Sequence, residues 1–168
     1  MSDVKSRYIM PLKRRRLKKT DYRKRLGLIK GGLPRAVIRK SLMNMNVDIA
    51  EYAVNGDKIV AHGSTIELKK FGWKSPTGNT PASYLAGYLV GLRAKKKGIK
   101  KVIVDMGRQK VVKGGKLMAS VQGLVDSGLK VPVDKKFLPK KDRLYGKHLK
   151  TVAENSIDEV KKAMEESL

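Results

Sequence analysis

A mixed α/β domain with basic extensions is the fold class this sequence predicts, on three observations. The Asn55-Gly56 pair separates two stretches of partly alternating polarity, the mark of a tight antiparallel hairpin. A helix pattern from Thr80 to Lys97 leads into a short apolar run, Val102-Ile103-Val104, and that strand-helix-strand spacing asks for a right-handed crossover to a parallel neighbour. The charge is also segregated. Residues 1–40 hold 15 Lys/Arg against 2 Asp/Glu, residues 41–92 hold 4 against 4, residues 93–150 hold 18 against 4, and the last 18 residues hold 2 against 5. Cationic blocks around a neutral one read as a domain whose arms are made for a polyanion.

Taken in order, Thr20 or Asp21 can cap a short helix carrying Tyr22, Leu26 and Ile29 on one side, and Gly31-Gly32 stops it. Ala36 to Leu42 is β-branched and partly alternating. Asn46 to Val54 sets Val47, Ile49 and Ala53 on one face and Ala50, Tyr52 and Val54 on the other, and Lys58 to Ser64 returns as a third antiparallel strand. The core face of this meander is thin, so it needs helices against it. Thr65 to Gly78 is irregular and holds the single Trp.

Thr80 is then a suitable N-cap with Pro81 in the first turn, and Leu85, Tyr88, Leu89 and Leu92 recur at helical spacing. Arg93, Lys95, Lys96 and Lys97 suit the dipole of the last turn, and Gly98 ends the helix. Lys101 to Met106 is a buried strand, followed by a basic Gly-rich loop, Gly107 to Gly115. Lys116 to Ser127 is a helix with Leu117, Val121, Leu124 and Val125 inward. Val131-Pro132-Val133 is a candidate final strand. Lys135 to Lys150 is basic and irregular, and an acidic amphipathic helix from Ser156 carries Ile157, Val160 and Met164. That stripe either docks on another protein or folds back on the domain.

At 168 residues the chain suits one hydrophobic core with extensions. With no Cys, disulfides, zinc–thiolate sites and cysteine catalysis are excluded. No run of 18 apolar residues offers a membrane span, and Met1 to Lys19 has no apolar core of a secretory signal. A metal-dependent nuclease would need clustered carboxylates. Asp48 and Asp105 are the tempting pair, but a single Asp after a strand reads as a turn or cap residue balancing a cation. His62 and His148 have no ligand pattern around them. Neither catalysis, a metal nor a cofactor is expected.

The cations themselves define the candidate site. Arg14, Arg15, Arg16, Lys18, Lys19, Arg23, Lys24 and Arg25 are eight cations in twelve residues, which repel one another unless an anionic surface neutralises them. Arg forks onto phosphates and Lys supplies point charges, so nucleic acid is the expected partner. Tyr8, Tyr22, Phe71 and Trp73 are the aromatics among these basic residues. Phe71-Gly72-Trp73, bracketed by Lys69, Lys70 and Lys74, either stacks on unpaired bases or tucks onto the protein's own core. The loop carrying Lys113, Gly114, Gly115 and Lys116 lacks the spacing of a nucleotide-binding loop, yet its N–H groups can take a backbone phosphate.

Residues 67–87, ELKKFGWKSPTGNTPASYLAG, resemble the large-subunit ribosomal protein family that binds 5S ribosomal RNA, in its archaeal and eukaryotic form. Four further segments agree in order: TDYRKRL at 20–26, PRAVIRKS at 34–41, KGIKKVIVDMG at 97–107 and LPKKDRLYGKHL at 138–149. The resemblance covers about Tyr8 to Leu149. It departs at Leu42-Met43, where the family often has Asn after the strand, matches loosely over 108–112, and leaves out the tail from Ala153.

The resemblance implies a ribonuclease-H-like topology without its catalytic carboxylates, with residues 1–33 as a basic arm, 34–134 as the core domain and 135–168 as a C-terminal extension. It implies a structural, non-enzymatic role in the cytoplasmic large ribosomal subunit, in the central protuberance. Its implied partners are 5S RNA, the large ribosomal RNA and neighbouring ribosomal proteins, including the other 5S-binding one, with no membrane and no self-association. By that likeness the arm and Arg35, Arg39, Lys40 and Ser41 face 5S RNA, and the 71–80 loop and Lys140, Lys141, Arg143 and Lys147 also contact RNA. A free-standing RNA-binding regulator or chaperone on the same fold is the alternative.

Overall fold

The computed structural model of the chain describes residues 10–11, 13–149 and 156–167, so that Tyr8, Lys150 and Ala153 lie outside it. Among the described residues four strands form one sheet in the order β3-β2-β1-β4: β1 is Arg35–Lys40, β2 Met45–Glu51, β3 Lys58–Ser64 and β4 Ile103–Asp105. β1, β2 and β3 are an antiparallel meander, and β4 runs parallel to β1, with Val37 opposite both Asp48 and Asp105. The expected hairpins and crossover are therefore present.

The strands are shorter than their patterns. β2 stops at Glu51, paired with Lys58, so Tyr52 and Val54 are exposed on a wider turn rather than forming a second strand face. Leu42 likewise projects beyond β1 into solvent. Val131-Pro132-Val133 forms no strand: the ladder there is a single parallel bridge between Lys101 and Lys130, and Pro132 has no N–H to extend it.

Among the described residues six helices accompany the sheet: α1 Lys13–Arg16, α2 Tyr22–Lys30, α3 Thr80–Lys96, α4 Lys116–Asp126, α5 Lys141–Leu144 and α6 Ser156–Ser167, with 3-10 turns at Glu67–Phe71 and Lys135–Phe137. Asp21 caps α2, its carboxylate accepting from the Lys24 N–H. The stripe read on α2 is not buried, for Tyr22 and Leu26 are exposed. Asn79, not Thr80, caps α3: its Oδ1 accepts from the Ala82 N–H at 2.8 Å, which puts Thr80 inside the first turn.

α3 is covered on both sides, which is why its apolar residues run nearly all round it. Its small residues Ala86, Val90 and Ala94 pack with Ala36, Ile38, Val47 and Ile49 of the sheet and with Val121 and Leu124 of α4. The leucine-rich face, Leu85 and Leu89 with Tyr88 and Leu92 alongside, belongs to a second cluster with Leu68, Trp73, Leu144, Ile157, Val160 and Met164. The acidic tail helix thus folds back on the domain. Each large side chain so buried contributes about 1.5–3 kcal/mol. α3 and α4 cross at backbone contact, since a Cβ on Gly87 would overlap the Ser120 carbonyl and one on Gly123 the Tyr84 carbonyl.

Candidate nucleic-acid interface

The second face of the sheet is polar, because alternation along β1 sends Ala36 and Ile38 to the core and Arg35, Val37 and Arg39 the other way. The arm lies over that face. Between them runs a groove of about 490 Å³, lined by Arg14, Lys18, Lys19 and Arg25 of the arm, Arg35, Arg39 and Lys40 of β1, and Arg108 and Gln109 of the loop after β4. Cations from three separate stretches of sequence meet here. Among the described residues, Arg14 donates to the Thr20 hydroxyl at 3.2 Å, and Lys18 and Lys19 have no side-chain ion pair.

Arg35 is different. Its guanidinium is buried, pairing with Asp57 at 2.6 Å and Asp105 at 3.0 Å, and its Nε has no acceptor among the described residues. A buried cation needs such partners, and two carboxylates supply them. Its donors are thus turned onto the two carboxylates, and it organises from beneath the groove it lines. Arg39 stays partly exposed, reaching the Asp105 backbone oxygen at 2.7 Å and its Oδ1 at 3.3 Å. Gly107, at φ +59°, brings its backbone under that guanidinium, where a Cβ would sit 3.2 Å away. Gln109 accepts from the Lys40 N–H at 3.0 Å and donates to the Ile38 carbonyl at 2.9 Å, fixing the loop to the end of β1.

Asp105 is thereby spent on arginines and on the Gly107 N–H, and Asp48 is hydrogen-bonded to His62. The two acids that hinted at a metal site are structural, and among the described residues no group of three His, Asp or Glu is placed to hold a metal ion.

Lys40 also lines a second hollow, with Ser41, Lys110 and Lys116. The 113–116 loop leads from there to a third, of about 760 Å³, where Lys113, Lys140, Arg143 and Lys147 meet Lys135, Lys136 and His148. The loop's glycine N–H groups are not open to a phosphate as expected, for Gly114 donates to the Phe137 carbonyl and Gly115 to that of Val112. The first of these bonds instead holds the two basic segments together, and the second closes a turn within the loop.

Trp73 is 3% exposed, inside the second core cluster, with its indole N–H directed to the Pro76 carbonyl at 3.4 Å. It has no ring face to offer a base, so of its two readings packing is the one realised. Lys69, Lys70 and Lys74 beside it are exposed but line none of the three hollows, and the same holds for Arg15, Arg16, Tyr22, Arg23 and Lys141. Lys24 borders a separate apolar hollow with Val104, Met106 and Phe137. Arg108, Gln109, Lys110, Lys135, Lys136 and His148 are additions that sequence reasoning did not single out. Their signal was the charge of the loop after β4 and of the segment after Val133.

The family model for ribosomal large subunit proteins 60S L5 and 50S L18 matches residues 6–99. A large ribosomal subunit protein uL18 of Caldivirga maquilingensis is 49% identical over 144 residues, 85% of this chain and 70% of that protein. Those of Thermofilum pendens and Korarchaeum cryptofilum are 45% and 40% identical, covering 88% and 91% of this chain and 76% and 78% of theirs. The family model covers more than half of the chain and these relatives most of it, so the chain belongs to this family of large-subunit ribosomal proteins, a structural and non-enzymatic one.

Proposed function

We propose that this chain binds 5S ribosomal RNA and attaches it to the large ribosomal RNA in the central protuberance, beside neighbouring large-subunit proteins that include the other 5S-binding one. One observation carries the reading: cations of the arm, of β1 and of the 107–115 loop, far apart in sequence, converge on one groove. Phosphates there meet forked donors from Arg14, Arg39 and Arg108 and point charges from Lys18, Lys19 and Lys40. The two further hollows extend the track, so a folded RNA can be held along its backbone by shape. Such contacts position an RNA without reading its bases, and fold-specific recognition then comes from the spacing of the hollows.

The test is binding of the purified protein to a transcribed archaeal 5S RNA across a salt series, with transfer RNA as competitor. Tight binding that survives excess competitor is expected. Arg14, Lys18 and Lys19 replaced together by Ala should weaken it and flatten the slope of log affinity against log salt by roughly one unit per lost phosphate contact. Equal binding to both RNAs, or a slope that the triple variant leaves unchanged, would sink the reading.

A further inference from the structure

Five charged residues of alternating sign run in a chain across the polar face of the sheet. Arg25 of α2 pairs with Asp57 at 2.9 Å, and the same Asp57 oxygen takes Arg35 at 2.6 Å. Arg35 continues to Asp105 at 3.0 Å, and Asp105 to Arg39 at 3.3 Å. The chain starts half-buried at Arg25 and ends exposed at Arg39, but its middle is buried, with the Arg35 side chain only 4% accessible. Asp57 sits just after the β2–β3 turn, away from the arm in sequence, and links the arm's Arg25 to Arg35 of the sheet.

The placement is odd for a groove made of cations. A carboxylate among them opposes phosphate, and a salt link at the surface is worth little by itself. Asp57 is better placed than a surface partner, because the buried Arg35 fixes its carboxylate and Arg25 then meets an acceptor that is already oriented. α2 has no fully buried residue of its own, so packing alone holds it weakly.

We infer that Asp57 is a positioning residue for RNA binding: by holding Arg25 it sets the basic arm against β1 before RNA arrives. This rests on the RNA-binding reading above. It has a consequence opposite in sign to simple electrostatics. Removing a negative charge from an anion-binding groove should tighten binding, whereas removing Asp57 releases the arm and weakens it. If only about a tenth of the molecules then hold the arm in place, affinity falls about tenfold.

The experiment compares 5S RNA binding by the full chain, Asp57→Asn, Asp57→Glu and Glu51→Gln. Glu51 is exposed at the end of β2, lines none of the basic hollows and changes the net charge by the same amount. Expected are a loss of about tenfold for Asp57→Asn, recovery of most of it in Asp57→Glu, and no loss for Glu51→Gln. Asp57→Asn binding as tightly as Glu51→Gln would overturn the positioning role while leaving RNA binding intact. Failure of the unaltered protein to bind would instead remove the reading beneath it.

Should Asp57→Asn not fold, Arg25→Gln leaves both partners of Arg35 in place, and trypsin cutting of the free protein's arm reads the same latch. Cutting several-fold faster than in Lys19→Gln, which removes one tryptic site without touching the latch, supports the inference. Equal rates overturn it.

Discussion

Trp73 and Arg35 share a lesson about single residues: chemistry names what a side chain can do, and burial decides what it does. Trp73 stands between lysines as a stacking residue would, yet its ring is buried in the cluster that holds Leu68, Leu85 and Ile157. Truncation to Ala removes a buried aromatic, at about 3–5 kcal/mol. For a chain of this length that lowers the melting temperature by roughly 6–20 °C. The folded fraction should keep its RNA affinity, and a loss of affinity with the melting temperature unchanged would restore the stacking role. Arg35 was readable as far as its face, since Ala36 and Ile38 alternate against it. Its burial was not, because that depends on Asp57 and Asp105, 22 and 70 positions away.

Elements were legible where local pattern and tertiary demand agree. The Asn55-Gly56 turn, the Thr80–Lys96 helix and the Val102–Val104 run all stand near where their patterns put them. α6 shows the limit: its stripe of Ile157, Val160 and Met164 was plain, but its seat is assembled from α3, α5 and the 67–71 turn. Around its rim three phenols meet carboxylates, Tyr84 with Asp126, Tyr88 with Glu165 and Tyr145 with Asp158, while the Lys161 ammonium lies 4.9 Å from the Tyr84 ring centre and 5.5 Å from that of Tyr88. Burial, then the hydrogen bond to Glu165, pushes the Tyr88 phenol up to about 12 from its ordinary 10. Burial also leads the upward shifts of Tyr84 and Tyr145.

The folded state therefore binds the Tyr88 proton more tightly than the unfolded chain does. Its stabilising share is complete below pH 10 and is lost as pH rises from about 10 to about 12. Unfolding free energy measured by urea should decline over that window, and the decline should be shallower in Tyr88→Phe, which keeps the ring and has no proton to lose. Identical declines in the two proteins would mean that Tyr88 ionises alike in the folded and unfolded chain. The edge strand β3 has a related guard on the far side of α3. Arg93 and Lys97 donate to the His62 and Val60 carbonyls, occupying two acceptors of a strand that has no neighbour beyond it among the described residues.

At the scale of the molecule, a net charge of +24 was visible in the composition, and its gathering into three linked hollows was not. Segregation along the chain says that basic blocks exist. The β1–β4 pairing, the Gln109 bonds to the end of β1, the Arg25–Asp57 pair and the bond from Gly114 to Phe137 bring them side by side. Crowding the cations that way raises the free energy of the isolated protein, since like charges repel when nothing neutralises them. Salt should consequently act with opposite signs on its two states. From roughly 0.01 to 1 M the screening length contracts from about 30 to about 3 Å, so repulsion between exposed lysines fades while the buried Arg35 pairs are little touched. The melting temperature of the free protein should rise across a sodium chloride series in which 5S RNA affinity falls. Chloride is the anion to use, because sulfate strengthens apolar burial in its own right. A melting temperature that drops with salt would put the molecule's electrostatic balance in the Arg25–Asp57–Arg35–Asp105–Arg39 chain rather than in repulsion among its surface cations.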